Sequence, residues 1–251
     1  ITHKDVEGKV NEEVLTRLAG EISRSLKGRK ILLGHGSGSF GHPIASKYGA
    51  QEGIEKCGLE GFIQTQRAAH KLNCIVMDAL LDAEVPAVAV QPSSCALMSN
   101  NVVKKIFYEP INHFLSQGAV PVIYGDIVFD DAKGCSIAST EMLFKYLATK
   151  LAPQRIIVGT DVEGVFTKDP KQGEGALIPE VHKNNVNEIM KTVGGSSASE
   201  DVTGGMAHKL QELYTLSKMN IQIDIINLLK ENYLERSIRG EKLGTRIEVH
   251  A

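Results

Sequence analysis

Short apolar, β-branched runs alternate along the chain with longer stretches whose hydrophobic residues recur at helical spacing. The short runs predict strands at residues 31–33, 87–90, 120–124, 156–159, 221–226 and 246–249. Between them, residues 12–26 carry Val14, Leu15, Leu18, Ile22 and Leu26 on one stripe, and residues 62–83 repeat Phe62, Ala69, Leu72, Val76 and Leu80. Each stripe predicts an amphipathic helix laid on a sheet. Further helices are expected at residues 108–117, 140–151, 206–219 and 233–239. Alternation of this kind predicts an α/β protein with a largely parallel sheet. The polar, Gly/Ser-rich stretch 192–205 reads as a functional loop rather than a domain linker, because strand and helix patterns resume directly after it.

Composition narrows the function classes. The 251 residues are 42% hydrophobic, enough for one core or two abutting lobes without a disulfide or metal staple. With 28 basic against 30 acidic residues the net charge is −2, which lacks the basic excess of a general nucleic-acid binder. No apolar run reaches the roughly 18 residues that span a bilayer and no leader pattern opens the chain, so a cytoplasmic protein is expected. Cys57, Cys74, Cys95 and Cys135 are scattered, with no C-x-x-C pair or zinc spacing, and read as buried reduced thiols. The chain opens on Ile1 in mid-pattern, which points to sequence upstream.

Three glycine-rich turns carry the candidate chemistry. In the first, Leu33-Gly34-His35-Gly36-Ser37-Gly38-Ser39-Phe40-Gly41-His42-Pro43, the chain leaves an apolar strand and enters a helix. Glycines let backbone N–H groups approach an anion, and the helix N-terminus adds partial positive charge, so an oxyanion or phosphate site is inferred. His42 stands at the mouth of that site and can donate a charge-assisted hydrogen bond, whereas His35 reads as a buried, hydrogen-bonded spacer. Gly36-x-Gly38-x-x-Gly41 also fits the dinucleotide fingerprint, with Glu55 or Glu60 as a ribose partner, and a bare glycine turn remains open too. The second turn runs from Gly159 through Thr160, Asp161, Phe166 and Lys168 to Pro170, at the carboxyl end of a strand where open α/β sheets bind ligands. In the third, Thr203-Gly204-Gly205 leads into a helix, and Lys209 lies one turn beyond Gly205. No Walker loop and no protein-kinase signature is present, so the three turns together point to a phosphate-handling enzyme outside the common kinase classes.

With these motifs the chain resembles the amino-acid kinase superfamily, and within it the isopentenyl phosphate kinases of archaeal type. The resemblance rests on Ile1-Thr2-His3-Lys4, the turn from His35 to Pro43, Gln91-Pro92-Ser93-Ser94, Tyr124-Gly125-Asp126, the segment from Thr160 to Pro170, and that from Asp201 to Lys209. It implies a three-layer αβα sandwich with a mainly parallel central sheet. Residues 1–152 would form the phosphoryl-acceptor lobe, which also dimerises, and residues 153–251 the nucleotide lobe holding ATP with Mg²⁺. It further implies that His42 binds the acceptor phosphate with Gly36, Ser37, Gly41 and Thr140. Lys4 and Lys209 would balance charge on the acceptor and transferred phosphates, and Gly38 would face the transferred group. Thr160, Asp161, Phe166, Lys168, Gly204 and Lys209 map to ATP. The implied substrates are isopentenyl phosphate and ATP, the prenyl tail lying against the helix 62–83 and the strand 88–90.

An acceptor that is already a phosphate is largely ionised near pH 7 and needs no strong general base, so catalysis would rest on alignment and charge neutralisation. The chain departs from the family pattern in several places. It opens just after the family's Lys-x-Gly-Gly-Ser loop, reads Ser139-Thr140-Glu141 for Ser-Gly-Asp, places Glu163 for Asp, and has Leu228 where a glycine follows Asn227. Two other readings are a same-fold kinase for another phosphate or phosphonate, as in fosfomycin kinases, and a nucleotide-binding protein without turnover. A dinucleotide oxidoreductase accounts for only one of the three turns.

Overall fold

The first helix forms where stripe and cap coincide. Asn11 accepts the Val14 amide through its side chain at 3.2 Å, Glu12 and Glu13 occupy the first turn where the helix dipole favours carboxylates, and Leu15, Leu18, Ala19 and Ile22 are buried. This helix, α1 (Glu12–Ser25), belongs to the first of two compact units, Ile1–Leu151 and Ala152–Ala251. The structure, a computed structural model, describes residues 1–3, 6–168, 175–193 and 205–248, with residues 205–209 as backbone only.

In the first unit α1 is followed by β1 (Leu33–His35), α2 (Gly38–Tyr48), α3 (Ile54–Asp82), β2 (Ala87–Val90), the short α4 (Pro92–Cys95), β3 (Ala96–Ser99), β4 (Val102–Ile106) and α5 (Glu109–Ser116). Then come β5 (Val120–Tyr124), β6 (Asp126–Asp130), β7 (Gly134–Ala138) and α6 (Thr140–Leu151). An all-parallel sheet has the order β1-β5-β2, and a mixed sheet the order β4-β3-β6-β7. Every residue of β5 is buried, as expected of a central parallel strand covered on both faces. Successive residues of a strand face opposite sides, and β6 displays the consequence. Ile127 packs with Ala45, Ala50, Cys57 and Cys135, whereas Val128 packs with Ile111, Leu115, Leu143 and Leu147 of α5 and α6. Helices therefore cover both faces of this unit's strands, the αβα layering expected of the class.

In the second unit, β8 (Arg155–Thr160), β9 (Val165–Phe166), β10 (Leu177–Ile178), β11 (Glu180–Val181), α7 (Val186–Val193), α8 (Gly205–Ser217), β12 (Gln222–Asn227), α9 (Tyr233–Ile238) and β13 (Thr245–Ile247) follow in order. Parallel pairing of β8 with β12 runs from Arg155↔Gln222 to Thr160↔Asn227, within a sheet of order β11-β13-β12-β8. Asp224, wholly buried on β12, is held by Arg246 at 2.7 Å and Arg155 at 3.4 Å, so its charge is compensated where water cannot reach it. Among the described residues no helix is long and apolar enough to cross a membrane.

Several elements differ from expectation. The first strand is displaced two residues, because the ladder to β5 pairs Leu33 to His35 rather than the apolar run before it. Helix α3 begins at Ile54 instead of Phe62, through a kink at Gly58 whose φ of 61° and ψ of 177° interrupt the helical period. The hairpins β3–β4 and β6–β7 lie in sequence that carries no strict apolar alternation. The first turns at Asn100 and Asn101, both with positive φ, the geometry of a tight two-residue hairpin. Of the thiols, Cys57 and Cys135 are buried, 3.5 Å apart and unjoined, but Cys74 is exposed and Cys95 only half-buried. Cys74 lies off the stripe of Ala69, Leu72, Val76 and Leu80, with its Sγ 3.5 Å from Nε2 of His70. Most of the 192–205 loop lies outside the described residues.

Candidate active site

The first glycine turn joins β1 to α2, and its backbone groups are sorted by hydrogen bonding. The His35 carbonyl accepts the Thr140 hydroxyl at 2.6 Å and the Gly125 amide at 3.0 Å. The Gly36 carbonyl lies 2.9 Å from Nδ1 of His35. Peptides here are trans, so each N–H points away from the carbonyl it follows, and the Gly36 and Ser37 amides are turned away from these anchors. Among the described residues neither amide has a hydrogen-bond acceptor, and Gly38 is the first residue of α2, whose amide has none within its helix. The Ser37 nitrogen lies close to Gly125: a Cβ there would stand 3.5 Å from that nitrogen and 3.6 Å from the Thr140 hydroxyl. The turn thus presents donors without an acceptor among the described residues at a helix N-terminus, a geometry that suits an anion.

The other glycines of the turn make room. Added carbon at Gly34 would meet Thr140 and Phe144 at 2.6 Å, so glycine is what lets α6 approach β1 and deliver the Thr140 hydroxyl. Gly38 has a φ of 48° and packs on Thr2, and the Gly41 position is filled by the Ser37 side chain. Pro43 inside α2 cannot donate to Ser39, and the Gly8 amide takes that carbonyl at 3.0 Å, which ties the segment after His3 to the helix. His42 is exposed on α2, one turn beyond Gly38.

Behind the turn lies a polar cluster on the inner side of α3. His35 stacks on Tyr124 at 5.6 Å between ring centres, and its Nε2 lies 3.1 Å from Oδ1 of Asn73. Burial lowers its pKa, against hydrogen bonds to Gly36 and Asn73 that raise it, and the ring is neutral near pH 7. The Tyr124 hydroxyl lies 3.4 Å from Nδ1 of His70, and burial, with the Asp126 carboxyl near, pushes its pKa up. Asp126 accepts the Ser93 amide at 3.1 Å and the Ile127 amide at 2.9 Å, yet burial raises its pKa to about 6. A separate cavity of about 580 Å³, lined by Lys9, Phe40, Lys71 and Ile75 among others, includes none of the predicted site residues.

The second glycine turn lies in the other unit, at the end of β8. The Thr160 hydroxyl lies 2.6 Å from the Val162 carbonyl and 3.2 Å from that of Ile226, so it stitches β8 to β12. Asp161 and Lys168 are exposed and Phe166 is half-buried on β9. Glu163 pairs with Lys230 at 2.8 Å, and this hydrogen bond lowers its pKa. A Cβ at Gly159 would collide with the Leu228 side chain at 2.0 Å, so the leucine covers the end of β8.

The family model described as the amino acid kinase family matches residues 4–227. The chain belongs to the amino acid kinase family. Within this family it is 36% identical to the isopentenyl phosphate kinase of Methanothermobacter thermautotrophicus, over 98% of this chain and 95% of that protein. It is 34% identical to the isopentenyl phosphate kinase of Methanocaldococcus jannaschii, over 99% and 95%. Among solved structures, one described as X-ray structures of isopentenyl phosphate kinase superposes with a TM-score of 0.84 at 32% identity, covering 98% of this chain and 96% of the other.

On this amino acid kinase, the predicted acceptor residues Gly36, Ser37, Gly41, His42 and Thr140 gather in the first unit, together with Gly38. They differ in what they have to offer. Gly36 and Ser37 have open amides, Gly41 donates its amide to Ser37 at 3.0 Å, and Thr140 donates its only proton to His35. Thr160, Asp161, Phe166 and Lys168 gather in the second unit. Lys4, Gly204 and the Lys209 side chain lie outside the described residues. Asn73, Tyr124 and Gly125 were missed as individual residues. Asn73, a buried polar group set between Leu72 and Val76 on the apolar stripe of α3, is a signal that could have found the cluster.

Proposed function

We propose that this amino acid kinase transfers the γ-phosphoryl group of ATP to isopentenyl phosphate, forming isopentenyl diphosphate, a step of isoprenoid biosynthesis. The observation that carries the reading is the turn from His35 to His42, whose open amides and exposed histidine suit a phosphate monoester, in a chain that aligns with isopentenyl phosphate kinases nearly end to end. At pH 7 a phosphate monoester carries a charge of about −1.5 to −2. Its oxygen therefore attacks without prior loss of a proton: an O–P bond forms to the γ-phosphorus as the bond to the β–γ bridging oxygen breaks, and ADP leaves. Holding one anion against another is the difficulty, and aligned donors are the remedy.

Residues 1–152 act as the acceptor lobe, with Gly36, Ser37 and His42 on the phosphate and Gly38 toward the transferred group. The prenyl tail lies against α3 and β2, where the half-buried Phe62, packed on the cluster of Ala45 and Ile127, supplies apolar wall. Residues 153–251 act as the nucleotide lobe, with Thr160 shaping the turn, Asp161, Phe166, Lys168 and Gly204 about ATP, and Lys4 and Lys209 supplying positive charge. Mg²⁺ in nucleotide sites takes one or two carboxylates and otherwise phosphate and water oxygens, and the exposed Asp161 carboxylate is a donor of that kind. Bound with ATP, the ion neutralises phosphate charge. A cytoplasmic setting suits the close but unjoined Cys57 and Cys135 thiols.

Incubation of the protein with ATP, Mg²⁺ and isopentenyl phosphate is expected to yield isopentenyl diphosphate and ADP in equal amounts. A panel of phosphate and phosphonate acceptors should leave isopentenyl phosphate with the highest kcat/KM. ATP binding without any product would favour the nucleotide-binding reading, and a phosphonate as best acceptor the fosfomycin-kinase-like one. The acceptor lobe also forms a homodimer in this reading, supported by Leu59 and Ile63, which are 70% and 46% exposed and stand one turn apart on α3. Light scattering should give twice the chain mass, falling to the chain mass for Leu59→Glu with Ile63→Glu.

A further inference from the structure

We infer that Thr140 and His35 are positioning residues that pre-orient the phosphate-binding amides. The inference deepens the proposed acceptor site and rests on it. Two consecutive carbonyls of the turn are drawn back into the protein: that of His35 by the Thr140 hydroxyl at 2.6 Å and the Gly125 amide at 3.0 Å, that of Gly36 by the His35 ring at 2.9 Å. Because both peptides are trans, fixing these carbonyls fixes the opposite direction of the Gly36 and Ser37 N–H groups.

In the neutral ring only the tautomer with its proton on Nδ1 can play this part. A neutral imidazole that donates from Nδ1 accepts at Nε2, which calls for the Asn73 amide turned with its NH₂ toward the ring. Stacking on Tyr124 and contact with buried Asn73 hold the ring's plane. Thr140 closes the other side. Its hydroxyl carries one proton, which goes to the His35 carbonyl, so Thr140 acts on the acceptor through the turn and not by donating to it. A flexible glycine turn that must be ordered by its ligand binds more weakly than one ordered beforehand, and that difference is the clamp's contribution.

The test compares Thr140→Val, which keeps the packing on Gly34 and removes the hydroxyl, with Thr140→Ser, which keeps the hydroxyl. His35→Phe serves as an independent variant that retains the stack on Tyr124 and loses the Nδ1 donor. Calorimetric titration with inorganic phosphate should show binding about tenfold weaker for Thr140→Val and for His35→Phe, near wild-type for Thr140→Ser. In turnover, KM for isopentenyl phosphate should rise by a similar factor in the first two while KM for ATP stays within about twofold. Folded Thr140→Val and His35→Phe proteins that bind phosphate within about twofold of wild type would overturn the clamp, as would an equal rise of both KM values. If the wild-type protein makes no isopentenyl diphosphate, the proposed function fails, while the phosphate titrations still decide the clamp.

Discussion

His42→Ala is expected to lower kcat/KM for isopentenyl phosphate roughly 10²–10³-fold, the usual effect of deleting one donor to a developing anion. In the proposed reading the imidazole, one turn after Gly38 on a helix whose side chains lean toward its N-terminus, reaches over the turn that carries the open amides. There it adds a donor from a side chain to those from the backbone, and no other histidine of the turn can replace it, since the His35 ring is held by Gly36 and Asn73. Being exposed, His42 contributes little to packing, and the melting temperature of His42→Ala should stay within about 2 °C of wild type. The KM for ATP should not follow the loss. His42→Gln keeps an N–H donor and should recover part of the rate. Steady-state kinetics with each substrate varied would check this, and a variant retaining about a third of wild-type kcat/KM would remove His42 from the acceptor site.

Asp130→Ala is expected to have the largest effect on stability, about 3–5 kcal/mol, or on the order of 10 °C in melting temperature. The carboxylate is wholly buried and accepts the amides of Asn100 at 3.0 Å, Asn101 at 2.9 Å, Ala132 at 2.9 Å and Lys133 at 3.2 Å, with the Ser136 hydroxyl at 2.5 Å. It thereby knots the turn of the β3–β4 hairpin to that of β6–β7. Removing it leaves the amides of both turns and the buried Ser136 hydroxyl without this acceptor and releases Asn100 and Asn101 from their positive φ. Burial works against ionisation of Asp130, but the hydrogen bonds from Ser136 and the turn amides outweigh it and hold the carboxyl well below the usual carboxylate range. The sign of the pH dependence follows. A carboxyl depressed in the folded state contributes stability that is complete above its unfolded value of 3.8 and is lost as the pH falls below it. Asp126 works the other way: with a folded pKa of about 6, it favours the folded state most at low pH, and that contribution fades as the pH rises from about 4 to about 6. Thermal melts from pH 2.5 to 8 should therefore show the wild type and Asp130→Ala converging at the acid end. A gap that stays constant across the range would mean that the carboxylate's charge is not what holds the turns.

Local patterning was enough to reveal the α/β class, the main parallel strands, helices α1, α5 and α6, and the first glycine turn as the passage from a strand into a helix. These features rest on periods and turn chemistry that act over a few residues, as in the Asn11 cap and the stripe from Leu15 to Ile22. The motifs also carried the family resemblance, which the match over residues 4–227 and the full-length relatives uphold. The hairpins β3–β4 and β6–β7 escaped notice because their register is held by Asp130, whose five donors come from segments up to 30 residues away. The roles inside the site were equally hidden. Thr140 and His35 are 105 residues apart in the chain, and only the approach of α6 to β1 over Gly34 brings the threonine hydroxyl to the His35 carbonyl. A residue's type limits which hydrogen bonds it can make, but a hydroxyl has one proton, and the fold alone decides which acceptor receives it.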